Sequence, residues 1–152
     1  MELAMQKVVM PNKLLLAEVS RLVSEGESVV LMTKGYSMLP FIVGGKDSVR
    51  LEKVDELFPG QILLAEVTPG HYVLHRLISV KEDEAVLMGD GNLKGCEVCT
   101  RSQVKAVAVS ILKANGKEVD CLSARHLRRA ALWRRLLPVR RWLLAFYHRC
   151  YL

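Results

Sequence analysis

Between Ser28 and Cys121 short strand-like runs follow one another at close spacing, and this bounds the fold more than any other feature of the chain. The run Val29-Val30-Leu31-Met32 reads as a buried strand within Ser28 to Thr33. Further segments cover Ser48 to Leu51, Gln61 to Val67, Tyr72 to Val80, Ala85 to Met88 and Val104 to Leu112. Turn signals at Gly44-Gly45-Lys46-Asp47, Phe58-Pro59-Gly60 and Thr68-Pro69-Gly70 separate them, and Asn115-Gly116 permits a tight hairpin into Glu118 to Cys121. Parallel strands need long crossovers. The spacing therefore predicts a mainly β, compact, mostly antiparallel domain.

Two helical segments flank this core. Leu14, Leu15, Val19, Leu22 and Val23 recur at three and four residues, predicting a short amphipathic helix over about 12–25 that packs as a lid, stopped by Gly26. After Ser123, an N-cap residue, Leu127, Ala131, Leu132, Leu136 and Leu137 can line one helical face, with Pro138 breaking or kinking the helix before Trp142, Leu143, Leu144, Phe146 and Tyr147. The organisation expected is a β domain over 1–123, with its core at about 28–121, and a basic amphipathic helical tail over 124–152.

The charge belongs to that tail. Ala124 to Leu152 holds eight arginines and no acidic residue, whereas the rest has fourteen basic and sixteen acidic residues. A nucleic-acid-binding body is thus not expected. With Trp133, Trp142, Phe146 and Tyr147 beside the arginines, the tail suits an anionic membrane surface; packing on the domain or on another subunit is the alternative, and nucleic acid, which would use the charges but not the apolar face, is not expected. Met1 to Pro11 lacks the apolar run of a signal peptide, and nowhere do eighteen apolar residues run together. The location expected is the cytoplasm or the inner face of the cytoplasmic membrane, in keeping with four scattered cysteines.

Three stretches carry candidate chemistry. Ser37 lies in Gly35-Tyr36-Ser37-Met38-Leu39-Pro40, where Gly35 allows close backbone approach and Pro40 stiffens the turn. A serine hydroxyl needs a base and oxyanion donors to act as a nucleophile. His75, inside the apolar run Tyr72 to Ile78, would be partly desolvated and kept largely neutral, as a base requires. In Gly89-Asp90-Gly91-Asn92, Asp90 could pair with Arg76 and fix the strand bearing His75. A carboxylate could instead orient the other ring nitrogen of His75, and Asp90 and Glu97 are both candidates.

Together with Gly45-Lys46-Asp47-Ser48-Val49 and Pro59-Gly60-Gln61-Ile62-Leu63, these motifs in this order resemble the superfamily of type I signal peptidases and self-cleaving SOS-type repressors. The resemblance covers roughly Val29 to Val109. It implies a partly barrel-like serine endopeptidase domain with Ser37 as nucleophile and its N–H as an oxyanion donor. His75 stands where most bacterial members carry lysine, similar to the serine–histidine arrangement of archaeal and endoplasmic-reticulum signal peptidases. It also implies a substrate peptide bound as an added strand, with Tyr36 and Met38 as pocket-lining residues. Where the signal peptidases usually supply another acidic residue, this chain has Cys96 with Glu97 beside it. The transmembrane anchor and the helix–turn–helix domain of those proteins are not seen.

No cofactor or metal is expected. Cys96 and Cys99 would need Cys121 and His126 folded back to complete a zinc site, and they read more simply as small residues ending a loop. The alternatives to a peptidase are a non-catalytic β domain that binds a peptide or membrane, and a regulator that cleaves itself.

Overall fold

The computed structural model describes residues 12–152, so the reading of 1–11 as lacking a signal peptide lies outside them. Helix α1 (Asn12–Ser24) buries Val19 and Val23, one turn apart, and turns Arg21 outward between Glu18 and Glu25. Gly26, at a φ of +93°, ends it. The strands follow as β1 (Val29–Met32), β2 (Ser48–Glu52), β3 (Ile62–Thr68), β4 (His71–Lys81), β5 (Glu84–Met88), β6 (Glu97–Thr100), β7 (Val104–Leu112) and β8 (Glu118–Asp120). Two helices close the chain, α2 (Ala124–Arg135) and α3 (Arg140–Tyr151), with a 3₁₀ turn at Leu137–Val139 where Pro138 interrupts the helix.

All pairings are antiparallel, in the order β1-β2-β7-β3-β4-β5-β6, with β8 on β7. The fold is the mainly β one that the strand spacing predicts. The sheet is open, ending at β1 and β6, but it rolls: β6 lies within 8 Å of β3 between Cα atoms although β4 and β5 intervene. Irregularities at Arg50/Leu51, Leu64/Ala65, Glu66/Thr68 and Leu77/Ser79 supply bending points.

Strand alternation sorts the core into two clusters. Ile62 and Leu64 of β3 face Val19 and Val23 of α1, while Leu63 and Ala65 face Leu77, Leu87 and Cys99 inside the roll. Buried on both faces, β3 reads as a continuous apolar run. Strand β6 is absent from the sequence reading, which placed Cys96 and Cys99 at the end of a loop. Its four residues bury only Cys99, too little periodicity to register.

The tail is docked, and on a different face from the one apolar spacing suggests. His126 and Ala130 are buried and Trp133 half-buried, whereas Ala131 and Leu132 are exposed. Ser123 caps α2 as expected, accepting from the His126 N–H at 3.1 Å.

Asp47 pins the segment between β1 and β2. Its carboxylate, 2% exposed, accepts from the Val43 N–H at 2.8 Å, the Ala114 N–H at 3.1 Å and Lys113 Nζ at 2.7 Å. Burial alone would raise its proton affinity, but Lys113 and the two backbone donors outweigh burial and hold the carboxyl below its usual range. Its contribution is therefore present above the carboxylate range and lost as pH falls through it. Asp47→Asn should lower the unfolding free energy in urea at neutral pH by about 2 kcal/mol; an unchanged midpoint would contradict this.

Candidate active site

Strand β1 delivers the chain into Gly35 to Pro40, where Gly35 takes a φ of +72° and the Leu39–Pro40 peptide is cis. The turn is held by the stretch after Gly89. The Ser37 carbonyl accepts from the Gly91 N–H at 2.8 Å, and Met38, 4% exposed, receives the Asp90 N–H on its sulfur at 3.5 Å. A Cβ at Gly89 would collide with the Ser37 carbonyl, and one at Gly91 with the Tyr36 carbonyl. These glycines are thus required by close backbone contact, a stronger demand than that of an ordinary turn.

His75 and Arg76 are neighbours on β4 with opposite tasks. They pair with Leu63 and Ile62 of β3, and the pleat sends their side chains to opposite faces. His75 is 6% exposed, and its Nδ1 lies 2.6 Å from Glu97 Oε1 on β6. Arg76, 3% exposed, donates to Asp90 at 2.5 and 3.2 Å, to the Gly60 carbonyl at 2.9 Å and to His126 Nε2 at 3.0 Å, and lies 5.0 Å over the Phe41 ring. The two carboxylates that the sequence left interchangeable are therefore divided: Asp90 serves Arg76, and Glu97 serves His75. A carboxylate at Nδ1 makes that nitrogen the proton carrier and leaves Nε2 with the lone pair.

Ser37 and His75 line one groove of about 270 Å³. Its walls are the end of β1, with Leu31 and Met32, and the first half of β4, with Tyr72 and Leu74; Leu15 and Leu16 of α1 and Met38 complete it. Among the described residues both walls have a strand edge without a pairing partner: β1 pairs only with β2, and β5 meets β4 only from Arg76 onward. Among the described residues the Ser37 hydroxyl makes no direct hydrogen bond to the His75 ring. Of the two residues named for a substrate pocket, Met38 is part of the groove lining and Tyr36 lies outside it. Tyr36 is 52% exposed, and its ring meets the edge of His148 from α3 at 5.5 Å.

Sequence reasoning missed that the tail braces this site. His126 accepts from Arg76, Trp133 Nε1 donates to the Asp90 carbonyl at 2.7 Å, and Arg140 donates to the Asn92 carbonyl at 2.9 Å while lying over the Trp133 ring at 5.3 Å. Leu144 packs with Leu39 and Val43 beside the serine turn. The signal was the stripe His126, Ala130, Trp133 at helical spacing, free of arginine in a helix otherwise full of it. These side chains reach buried polar groups, and that requirement outweighs the apolar face formed by Ala131 and Leu132.

The cysteines stand apart. Cys99 belongs to the cluster inside the roll and Cys121 to the cluster under α1. Burial raises both thiols, that of Cys121 to about 12, so neither is a reactive thiolate at neutral pH. Among the described residues no group of three His, Cys, Asp or Glu side chains could hold a metal ion. Compared with known proteins, the chain matches no family model and no curated protein.

Burial, and then the Arg76 guanidinium, push His126 down to about 4 from its ordinary 6.5. As pH falls the unfolded chain takes up this proton first, so the stability given by the neutral ring is complete above about pH 6.5 and declines toward pH 4. Between pH 7.5 and 5 the expected loss is about 2 kcal/mol, read from urea midpoints. His126→Gln, which retains an acceptor for Arg76, should flatten that decline. Parallel pH profiles for the two proteins would refute the assignment.

Proposed function

We propose that the protein is a serine endopeptidase of the signal-peptidase-like kind, cutting a peptide or protein substrate through an acyl-enzyme. One observation carries the reading: the buried His75, oriented through Nδ1 by Glu97 at 2.6 Å, lines the same groove as Ser37. Nucleophile, base and base-orienting carboxylate then come from three separate stretches that only the fold brings together.

In this reaction Ser37 Oγ attacks the scissile carbonyl while His75 Nε2 takes its proton, and Glu97 stabilises the imidazolium. On this reading the Ser37 N–H donates to the developing oxyanion. The protonated ring then gives its proton to the leaving amine. Water, deprotonated by the same nitrogen, releases the acid product and restores the serine. Hydrogen bonds of this kind form and tighten when substrate binds, so the lack of a direct Ser37–His75 bond among the described residues is compatible with the role. The edges of β1 and of β4 from His71 to His75, unpaired among the described residues, suit a substrate added as an extended strand. Asp90 and Arg76 act at one remove, holding the strand and turn in place.

Labelling by a fluorophosphonate, followed as intact mass and mapped to its residue, tests this reading. Ser37 should acquire the label, and Ser37→Ala should abolish it. His75→Ala should slow it about 100-fold or more, the usual scale of a general base. Glu97→Gln should slow it less, at unchanged folding. Absence of labelling in the unaltered protein, or labelling at Ser37 with a rate indifferent to His75→Ala, would overturn the proposal in favour of a non-catalytic peptide-binding domain. A self-cleaving regulator would reveal itself by a loss of mass on standing.

A further inference from the structure

The two terminal helices have an inner and an outer face, and only the inner one is accounted for. Inward, α3 buries Arg140 and Leu144 and half-buries Tyr147. Outward, Trp142 and Phe146, one turn apart, are 65% and 62% exposed, with Leu143 beside them at 39%. On α2 the outward Leu132 is 60% exposed and sits among Arg125, Arg128, Arg129 and Arg135. Large rings left in water on helices this rich in exposed arginine, which otherwise dock well, call for a partner that accepts both.

Charge selects among the candidates. The segment 124–152 has eight arginines and no acidic residue. A second copy docking on this face would set like charges against like. Nucleic acid would match the charge but offers nothing for Leu132 and Leu143, which do not stack as rings do. An anionic bilayer accepts both, with rings and leucines at the acyl boundary and guanidiniums among the phosphates. Spanning is excluded for these helices: each has twelve residues, and among the described residues no helix is long and apolar enough to cross a membrane.

We infer that the outer face of α2 and α3 is a docking surface for anionic lipid bilayers, inserted through Trp142 and Phe146 and held by the α2 arginines. The docked face stays attached to the site, because Leu144 packs on Leu39 and Val43 and His148 meets Tyr36. Lipid binding would thus bring the Ser37 turn to the membrane surface.

The test is co-sedimentation of the full chain with vesicles of phosphatidylglycerol and phosphatidylcholine, against phosphatidylcholine alone. Binding should require the anionic lipid and weaken at least tenfold in Trp142→Ala/Phe146→Ala, whose side chains are exposed. Arg128→Glu/Arg135→Glu should weaken it similarly and serves if the first variant misfolds. Brominated lipid should quench fluorescence in the unaltered protein and much less in Trp142→Ala. Ser37→Ala should bind vesicles normally, so the docking surface and the peptidase reading stand or fall separately. Equal binding to both lipids, indifference to either double variant, self-association that removes vesicle binding, or preferential binding of RNA would overturn the inference.

Discussion

The guanidinium of Arg76 is the group on which the rest of the site depends. A cation taken this far from water is costly unless every donor finds an acceptor. Here the Asp90 carboxylate, the Gly60 carbonyl and His126 supply them from a loop, a turn and helix α2, with the Phe41 ring over its face. Removing any one of these would leave charge or donors stranded. The segments that carry them are therefore constrained to one arrangement, and the serine turn rests directly on one of them through Gly89 and Gly91.

The same residue explains how two adjacent side chains come to do unrelated work. In a pleated strand, neighbours face opposite ways. Anchoring Arg76 on one face thereby fixes the azimuth of His75 on the other, where β6 presents Glu97. His75 needs no polar scaffold of its own beyond that single carboxylate, because the backbone on which it sits is already immobilised by its neighbour.

Much of this was legible in the chain, and the rest was hidden for identifiable reasons. Seven of the eight strands announce themselves by apolar runs between turn residues, and the Ser37, His75 and Asp90 stretches stand out by residue type. Glu97 could be named but not assigned, because the choice between two carboxylates depends on how the sheet rolls, which is set by strand irregularities that leave no local mark. Strand β6 was invisible for a related reason: three of its four side chains avoid the core. His126 and Trp133 were hidden by their surroundings, since in a segment rich in arginine and leucine a histidine and a tryptophan look like parts of an amphipathic pattern. Only the positions of Arg76 and Asp90, far earlier in the chain, reveal them as hydrogen-bonding partners.

The docking of the terminal helices also imposes an order in time. Chains emerge from the ribosome amino end first, and domains begin to fold as they do. Ser37, His75 and Glu97, with every strand of the sheet, precede Ser123, whereas the contacts made by His126, Trp133 and Arg140 belong to what is synthesised afterwards. Translation thus lays down the side chains of the groove first and their brace last. A chain interrupted within the last two helices has Ser37, His75 and Glu97 and only part of what keeps Arg76, and through it His75, in register.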